Sequence, residues 1–189
     1  MWDTVAKLLM HKQISFEKGK IEIFGRLSSL LPSDSFVTLQ MELETRGLQN
    51  LIYFKAKESG AKWFVEMNKY YHLKGMDVIK WGSEIVTFAG WGEAIIVRRD
   101  DSKKEIVFNL KNSITAKLHP ASVVPVDHLF RGLLCGAMAT IYDIELSKID
   151  AVETKCIAMG SPICEFIVKQ TSEFDVNNDL VKAQLTPVM

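Results

Sequence analysis

The chain has 189 residues, 48% of them hydrophobic, and its 23 basic and 23 acidic side chains give a net charge of zero. This length fits one domain of ordinary size, or one domain with a tail. Nucleic-acid binding normally requires a basic surface, and here the longest basic feature, Arg98-Arg99, is followed at once by Asp100-Asp101. We therefore expect no nucleic-acid partner.

The sequence also lacks the signals of a membrane or secreted protein. No apolar run reaches the ~20 residues that a membrane-spanning helix needs. Residues 1–10 carry Asp3 early and have no basic region followed by a long apolar one, so they are unlike a signal peptide. We expect a cytoplasmic protein. Its three cysteines favour free thiols or metal ligands over a disulfide framework in such a reducing compartment.

Hydrophobic periodicity predicts mostly helices in the first half of the chain. Residues 2–11 place Val5, Leu8 and Leu9 on one face, as a helix would. Two short alternating segments separated by Lys18-Gly19 predict a hairpin over residues 14–24. Three further helices are predicted at about 33–46, 48–71 and 76–88, the first of them after Pro32 and several side chains able to cap it.

Small residues mark one face on each of two predicted helices. Ala56 and Gly60 lie in the middle of the apolar stripe of helix 48–71. Gly132 and Gly136 lie one turn apart on a helix predicted at 128–142, which Asp127 could cap. Such faces allow a neighbouring helix to approach closely, or leave a cavity beside the helix. Ordinary close packing is the simpler interpretation.

Strand patterns dominate the second half of the chain. Residues 93–99 and 104–110 are rich in Ile, Val and Phe, and the polar segment 100–103 between them predicts a hairpin. A second hairpin is predicted within residues 151–168, turning at 159–162 because Gly160 and Pro162 interrupt the strand. The polar residues after 170 predict a flexible tail, or an arm that becomes ordered on a partner, so we assign 1–170 to a single domain and 171–189 to a flexible tail.

The order of these elements indicates the fold class. No regular strand–helix–strand alternation is visible, and helices cluster before the two hairpins. This pattern favours an α+β fold, in which an antiparallel four-stranded sheet packs against a layer of helices.

The last hairpin contains the residues with the clearest chemical potential. Cys156 and Cys164 are equally distant from Gly160, so a simple hairpin would bring them close, and Glu153 precedes the first by three residues. Two thiolates and a carboxylate could bind zinc. Residues three apart on a regular strand point to opposite faces, so a shared metal requires a bulge or a strand end between Glu153 and Cys156. Alternatively, the two cysteines simply pack as small apolar side chains.

The same segment resembles the closing signature of the 4-vinyl reductase domain family. The pattern is Glu153, two residues, Cys156, then Gly160, and finally Cys164 with an aromatic residue, Phe166, two positions on. The Gly-Trp-Gly segment at 90–92, the Asn-Ser pair at 112–113 and the glycine-rich helix at 130–142 also follow that family's order of elements. The resemblance covers about residues 15–170.

The resemblance implies a small-molecule-binding domain related in fold to TRAPP vesicle-tethering subunits and haem-binding nitric-oxide sensor domains, which commonly form homodimers. In family members fused to regulators of aromatic catabolism, the domain senses hydrocarbons and a bound zinc ion supports the pocket. Transferred residue by residue, the zinc ligands would be Cys135, Glu153, Cys156 and Cys164.

We therefore expect a stand-alone binding or sensory domain for an apolar, lipid-like or hydrocarbon-like molecule, acting through a protein partner. The alternatives are a TRAPP-like dimeric scaffold or adaptor and, third, an enzyme of tetrapyrrole metabolism. No phosphate-binding loop, dinucleotide-binding glycine motif or nucleophile elbow is present, so we expect no enzyme. The candidate pocket residues, each of which could equally be plain core, are Trp63, Phe64, Trp81, Trp91, Phe130, Met138 and Tyr142.

Overall fold

A small antiparallel sheet opens the described part of the chain. The computed structural model describes residues 14–23, 26–73 and 75–186, with only the backbone described at positions 70 and 71. Strands β1 (Ile14–Glu17) and β2 (Lys20–Ile23) form the predicted hairpin, and β3 (Arg26–Ser28), which the sequence did not predict, pairs with β2. The helix predicted at 2–11 and position 24 lie outside the described residues.

Three helices follow, as the sequence predicted. They are α1 (Ser33–Thr45), α2 (Gln49–Tyr71) and α3 (Met76–Phe88). Gly47 lies between α1 and α2 with a φ of 71°, and Gly75 precedes α3 with a φ of 53°. Both angles lie in the left-handed region that glycine adopts without a steric cost, which explains why the helices end and begin there.

The second half of the chain builds the main sheet. Its strands β4 (Glu93–Asp100), β5 (Glu105–Lys111), β6 (Ile149–Lys155) and β7 (Cys164–Gln170) lie in the order β4-β5-β7-β6, and all neighbours are antiparallel. Helices α4 (Ile114–Leu118) and α5 (His128–Tyr142) lie between the two hairpins in the chain. The predicted α+β fold with a four-stranded antiparallel sheet is confirmed.

The last hairpin is less simple than the sequence suggested. Its strands are joined through a 3-10 turn, Ile157–Met159, and Gly160 follows with a φ of 88°. The pairing shifts within β6, because Glu153 lies opposite Phe166 whereas Lys155 lies opposite Glu165, which leaves one extra residue between them. This irregularity is the distortion that Glu153 and Cys156 would need in order to share a metal ion. Cys156 itself lies just beyond the end of β6.

Helix α5 is the centre of the fold. Ten of its residues are buried, and it contacts α2 as well as β6 and β7. The Phe130 ring meets the Phe166 ring of β7 edge to face, with 5.0 Å between the centroids. Met138 is fully buried in the same apolar cluster.

The two small-residue faces predicted from the sequence meet each other. A Cβ added at Gly136 would lie 2.3 Å from the backbone N of Ala61 and 2.5 Å from the carbonyl carbon of Gly60, so α2 and α5 touch through their backbones. Because these faces are used within the chain, they lend no support to a homodimer. The predicted homodimer therefore depends on the family resemblance.

The segment after β7 packs against the domain, whereas the sequence predicted a flexible tail from residue 171. Phe174 is buried, and helix α6 (Asp179–Leu185) begins with Asn178, whose side chain accepts hydrogen bonds from two backbone N–H groups of the first turn. The side-chain amide of Gln184 accepts a hydrogen bond from the Glu153 N–H at 2.9 Å and donates one to the Glu153 carbonyl at 3.0 Å. The flexible-tail prediction was therefore wrong for residues 171–186. The few residues of this segment that become buried lie among polar residues, so the sequence showed no apolar pattern there.

None of the helices in the described ranges combines the length and the apolar character needed to cross a bilayer.

We predict that Gly136→Ala lowers the free energy of unfolding by about 1–3 kcal/mol. The added methyl group would overlap the backbone of α2, which can make room only if the whole helix shifts. Gly82→Ala is the matched control. Its methyl group would meet only ring atoms of Phe64, so the loss should be smaller and partly offset by better helix propensity. Urea denaturation measures both, and equal losses would contradict the close contact of α2 and α5.

Candidate functional site

Four buried acidic and thiol side chains converge where the start of α5 meets the end of β6 and the start of β7. One ligand atom from each of Asp127, Glu153, Cys156 and Cys164 lies within 4.8 Å of all the others. We call these residues the four-ligand group. Glu153 belongs to the irregular part of β6, Cys156 follows that strand, and Cys164 opens β7. Three of the four ligands inferred from the family resemblance are therefore together.

The fourth inferred ligand, Cys135, lies elsewhere, and Asp127 occupies its place in the group. Cys135 is on α5, where its sulfur lies 3.3 Å from the hydroxyl of Tyr53 on α2. Asp127 precedes the helix, and the sequence indicated a capping role, yet its side chain makes no capping hydrogen bond. Instead its Oδ1 accepts a hydrogen bond from the Ser113 hydroxyl at 2.7 Å. An aspartate before a helix suits a cap equally well, so sequence alone gave no reason to place Asp127 beside Glu153 and the two cysteines.

Two carboxylate oxygens of the four-ligand group are buried without a hydrogen-bond partner among the described residues. Glu153 Oε2 accepts from the Asp127 N–H at 3.0 Å, but Glu153 Oε1 and Asp127 Oδ2 have no such donor. Burying a polar atom without a partner costs about 1–3 kcal/mol. A bound cation would satisfy both oxygens at once.

The electrostatics of the group depend on how its protons are distributed. Burial raises the pKa of Asp127 to about 6, and burial together with the nearby Asp127 carboxylate raises the pKa of Glu153 well above its ordinary range. The neighbouring Cys164 thiol lowers the pKa of Cys156 to about 6 in spite of burial, while the contact with Cys156 and burial raise the pKa of Cys164. The group therefore retains protons near neutral pH that a metal ion would displace.

The donor set fits a divalent metal ion. Two cysteine sulfurs and two carboxylates are ligand types that zinc accepts, at ~2.3 Å for sulfur and roughly 2.0–2.2 Å for oxygen. Four protein ligands would complete a tetrahedral shell. Such a closed set is typical of a structural site and leaves no position for a catalytic water molecule.

A cavity of 340 Å³ lies between β3, α2 and α3. Three of the predicted pocket residues, Trp63, Phe64 and Trp91, line it. We call it the aromatic cavity. The remaining lining residues are mostly aliphatic, with one arginine and two serines: Arg26, Leu27, Ser28, Ser59, Ile85, Val86, Ala89 and Leu133. The sequence did not reveal the contribution of Arg26, Leu27 and Ser28, because the short strand β3 was not predicted.

A smaller cavity of 30 Å³ adjoins the aromatic cavity and shares Phe64, Val86 and Leu133 with it. The predicted residue Phe130 lines this second space. Both cavities lie along α5, which begins directly after Asp127 of the four-ligand group. The position of α5 therefore affects both the aromatic cavity and the four-ligand group.

The other three predicted pocket residues line neither cavity. Met138 is core, and Trp81 packs against the cluster of Phe64 and Met67. The Tyr142 hydroxyl donates a hydrogen bond to Asp101 at 2.7 Å. These contacts account for Trp81, Met138 and Tyr142 as ordinary packing and surface residues.

Comparison with known proteins identifies the fold. No family model matches the chain. The uncharacterized protein MJ0150 of Methanocaldococcus jannaschii is 27% identical over 171 residues, which are 86% of this chain and 92% of that protein. Among solved structures, the phenol-responsive sensory domain of the transcription activator PoxR, with phenol, has a TM-score of 0.78 at 17% identity. That similarity covers 99% of this chain and 98% of the other.

Two further structures are similar over a smaller part of the chain. A vinyl-4-reductase family protein from Methanocaldococcus jannaschii has a TM-score of 0.53 at 17% identity, covering 76% of this chain and 84% of that one. A trafficking protein particle complex subunit 3 from Naegleria fowleri, covalently bound to palmitic acid, has a TM-score of 0.48 at 12% identity, covering 74% and 95%. The chain has a vinyl-4-reductase-like fold, as the sequence signature implied.

We predict a pH effect at Asp127 in chelator-treated protein. Its pKa rises from 3.8 to about 6 on folding, so the protonated form stabilises the folded state. That contribution is complete below about pH 4 and is lost as the pH rises through about 6. Asp127→Asn cannot lose a proton, so its stability should fall less between pH 4 and pH 7, by about 3 kcal/mol at most. Urea denaturation at stepped pH measures the difference, and identical pH slopes would contradict it.

Proposed function

We propose that this protein is a sensory domain that binds a small apolar molecule and acts through a protein partner, not by catalysis. The observation that carries the proposal is the aromatic cavity. Its 340 Å³ and its mostly apolar lining with a few polar groups are typical of small-molecule sites. The likeness over almost the whole chain to a domain described as phenol-responsive supports this function.

The aromatic walls of the cavity are supported by other rings. Trp91 meets Phe36 of α1 edge to face, with centroids 5.4 Å apart, and Trp63 meets Phe64 in the same way at 4.8 Å. Neighbours of this kind restrict the rotation of an indole ring. A ligand would therefore enter a partly preorganised space, which lowers the entropy cost of binding.

A ligand in the aromatic cavity would contact several separate elements at once. The lining comes from β3, from helices α2, α3 and α5, and from Trp91 before β4. A molecule that binds one arrangement of these elements better than another shifts the population toward it. We propose that a protein partner recognises this shift.

We further propose that the four-ligand group binds one structural zinc ion. The two buried carboxylate oxygens without partners support the assignment, as does the pairing of two thiols with two carboxylates. The ion would join the start of α5 to the ends of β6 and β7. Since α5 also carries Leu133 of the cavity wall, zinc would support the ligand site from outside.

For the metal, we predict about one zinc per chain by elemental analysis and a lower melting temperature after chelation, because zinc binds only the folded arrangement. Cys156→Ser and Asp127→Ala should lose the metal. Cys135→Ala is the matched control, since it removes a buried thiol outside the group and should retain zinc. A metal-free, chelator-indifferent protein would contradict the zinc proposal, and zinc lost from Cys135→Ala but not from Asp127→Ala would contradict this ligand set.

For the ligand, we predict that 2-naphthol raises the melting temperature of the protein. At a concentration a hundredfold above its Kd, a ligand specific for the folded state adds about 2.7 kcal/mol of stability. Ala89→Phe should abolish the shift by filling the cavity that Ala89 lines. Ala121→Phe adds the same side chain at an exposed position outside the cavity and should leave the shift intact. An equal shift in both variants would place the ligand elsewhere, and no shift across a panel of phenols, hydrocarbons and aromatic acids would contradict the sensor proposal.

A further inference from the structure

The aromatic cavity has one charged side chain among its described lining residues, Arg26 of β3. The other lining groups are apolar, apart from the hydroxyls of Ser28 and Ser59, which donate hydrogen bonds to the nearby backbone carbonyls of Arg26 and Ala56 at 3.3 Å. A single charge in an apolar site fixes the orientation and the chemical class of a ligand. Here that charge is a guanidinium.

Arg26 has the capacity to bind an additional anion. Its Nε lies 3.5 Å from Glu66 Oε2, and both side chains are more than one-third exposed. Exposed ion pairs of this kind contribute about 0–1 kcal/mol, so the contact is weak and easily exchanged. A guanidinium also carries N–H donors beyond Nε, arranged as a fork that matches a carboxylate.

The surface next to the cavity is also rich in basic groups. Arg26 and Ser59 line both the aromatic cavity and a neighbouring groove, which carries Lys55 and Lys62 as well. The acids nearby are Glu58, paired with Lys55 at 3.1 Å, and Glu66, paired with Arg26. Of the basic side chains in this region of the described structure, Arg26 is the one that lines the aromatic cavity itself.

From this geometry, and on the basis of the proposed ligand-binding function, we infer that the ligand is an aromatic carboxylic acid. Its ring would lie between Trp63, Trp91 and the aliphatic wall of α3, and its carboxylate would bind the Arg26 guanidinium. A neutral aromatic molecule would occupy the same space without using the arginine. The Arg26 guanidinium would therefore discriminate the acid from its neutral analogues.

Isothermal titration calorimetry with two probes of nearly the same shape, 2-naphthoate and 2-naphthamide, tests the inference at pH 7. We expect the acid to bind wild-type protein about tenfold more tightly, because a charge-assisted hydrogen bond is stronger than a neutral one. The preference should shrink as salt is added, since the pair is partly exposed. Arg26→Met should remove the preference and leave the affinity for the amide unchanged.

Two controls keep the outcomes separate. Lys55→Met removes a basic residue from the groove but not from the aromatic cavity, and it should keep the preference for the acid. If Arg26→Met does not fold, Arg26→Lys should weaken the preference for the acid, because lysine keeps the charge but lacks the two-pronged donor geometry of the guanidinium. An unchanged preference in Arg26→Lys, together with no salt dependence in the wild-type protein, would overturn the assignment. Equal binding of acid and amide by the wild-type protein would overturn the carboxylate assignment and leave the ligand-binding proposal standing. Absence of binding by either probe and by neutral aromatics would contradict both.

Discussion

The close contact between α2 and α5 sets the geometry of everything else in this domain. At Gly132 and Gly136 the backbone of α5 lies directly against α2, with no room for even a Cβ atom. Because interiors are packed as tightly as organic crystals, such a contact allows little sliding or rotation. It fixes α5 against the sheet, and α5 in turn brings Asp127 to the four-ligand group and Leu133 to the aromatic cavity. Two sites of different chemistry thus depend on a single helix pair.

A buried ionic network also links the same helix pair to β6. Lys57 and the Tyr53 hydroxyl of α2 both lie 2.5 Å from Asp150 Oδ1 on β6, and the Arg131 guanidinium of α5 covers the Tyr53 ring at 4.2 Å. Charges buried this deeply are tolerated only when they are paired and hydrogen-bonded. Cys135 belongs to this network, and burial raises its pKa to about 12, so the thiol keeps its proton. This network holds Cys135 beside Tyr53 and away from the four-ligand group, where the cysteines of the last hairpin lie.

Much of this structure could be predicted from the sequence, and the exceptions have a common physical cause. Helices and strands with a clear apolar period were found, because that period is a local property of the chain. The alternation of side chains also indicated that Glu153 and Cys156 could share a metal only across an irregularity, and the structure contains one. By contrast, the position of Asp127 beside Glu153 and the two cysteines, and the docking of Gln184, result from contacts between distant segments. A polar residue before a helix, or within a polar tail, has the same sequence signature whether it faces water or a buried partner.

The docking of α6 has a further consequence, which concerns self-association. Strand β6 is an outer strand of the main sheet, and exposed outer strands can pair with strands of other molecules. At Glu153 the side-chain amide of Gln184 provides one acceptor and one donor, as a neighbouring strand would, so the edge is covered by a helix that cannot itself extend the sheet. The other outer strand, β4, carries the exposed charge of Arg98 and a break in its pairing near Ile96. Each edge of the sheet is thus protected against strand addition by a different device, and the device on β6 lies directly beside a candidate metal ligand.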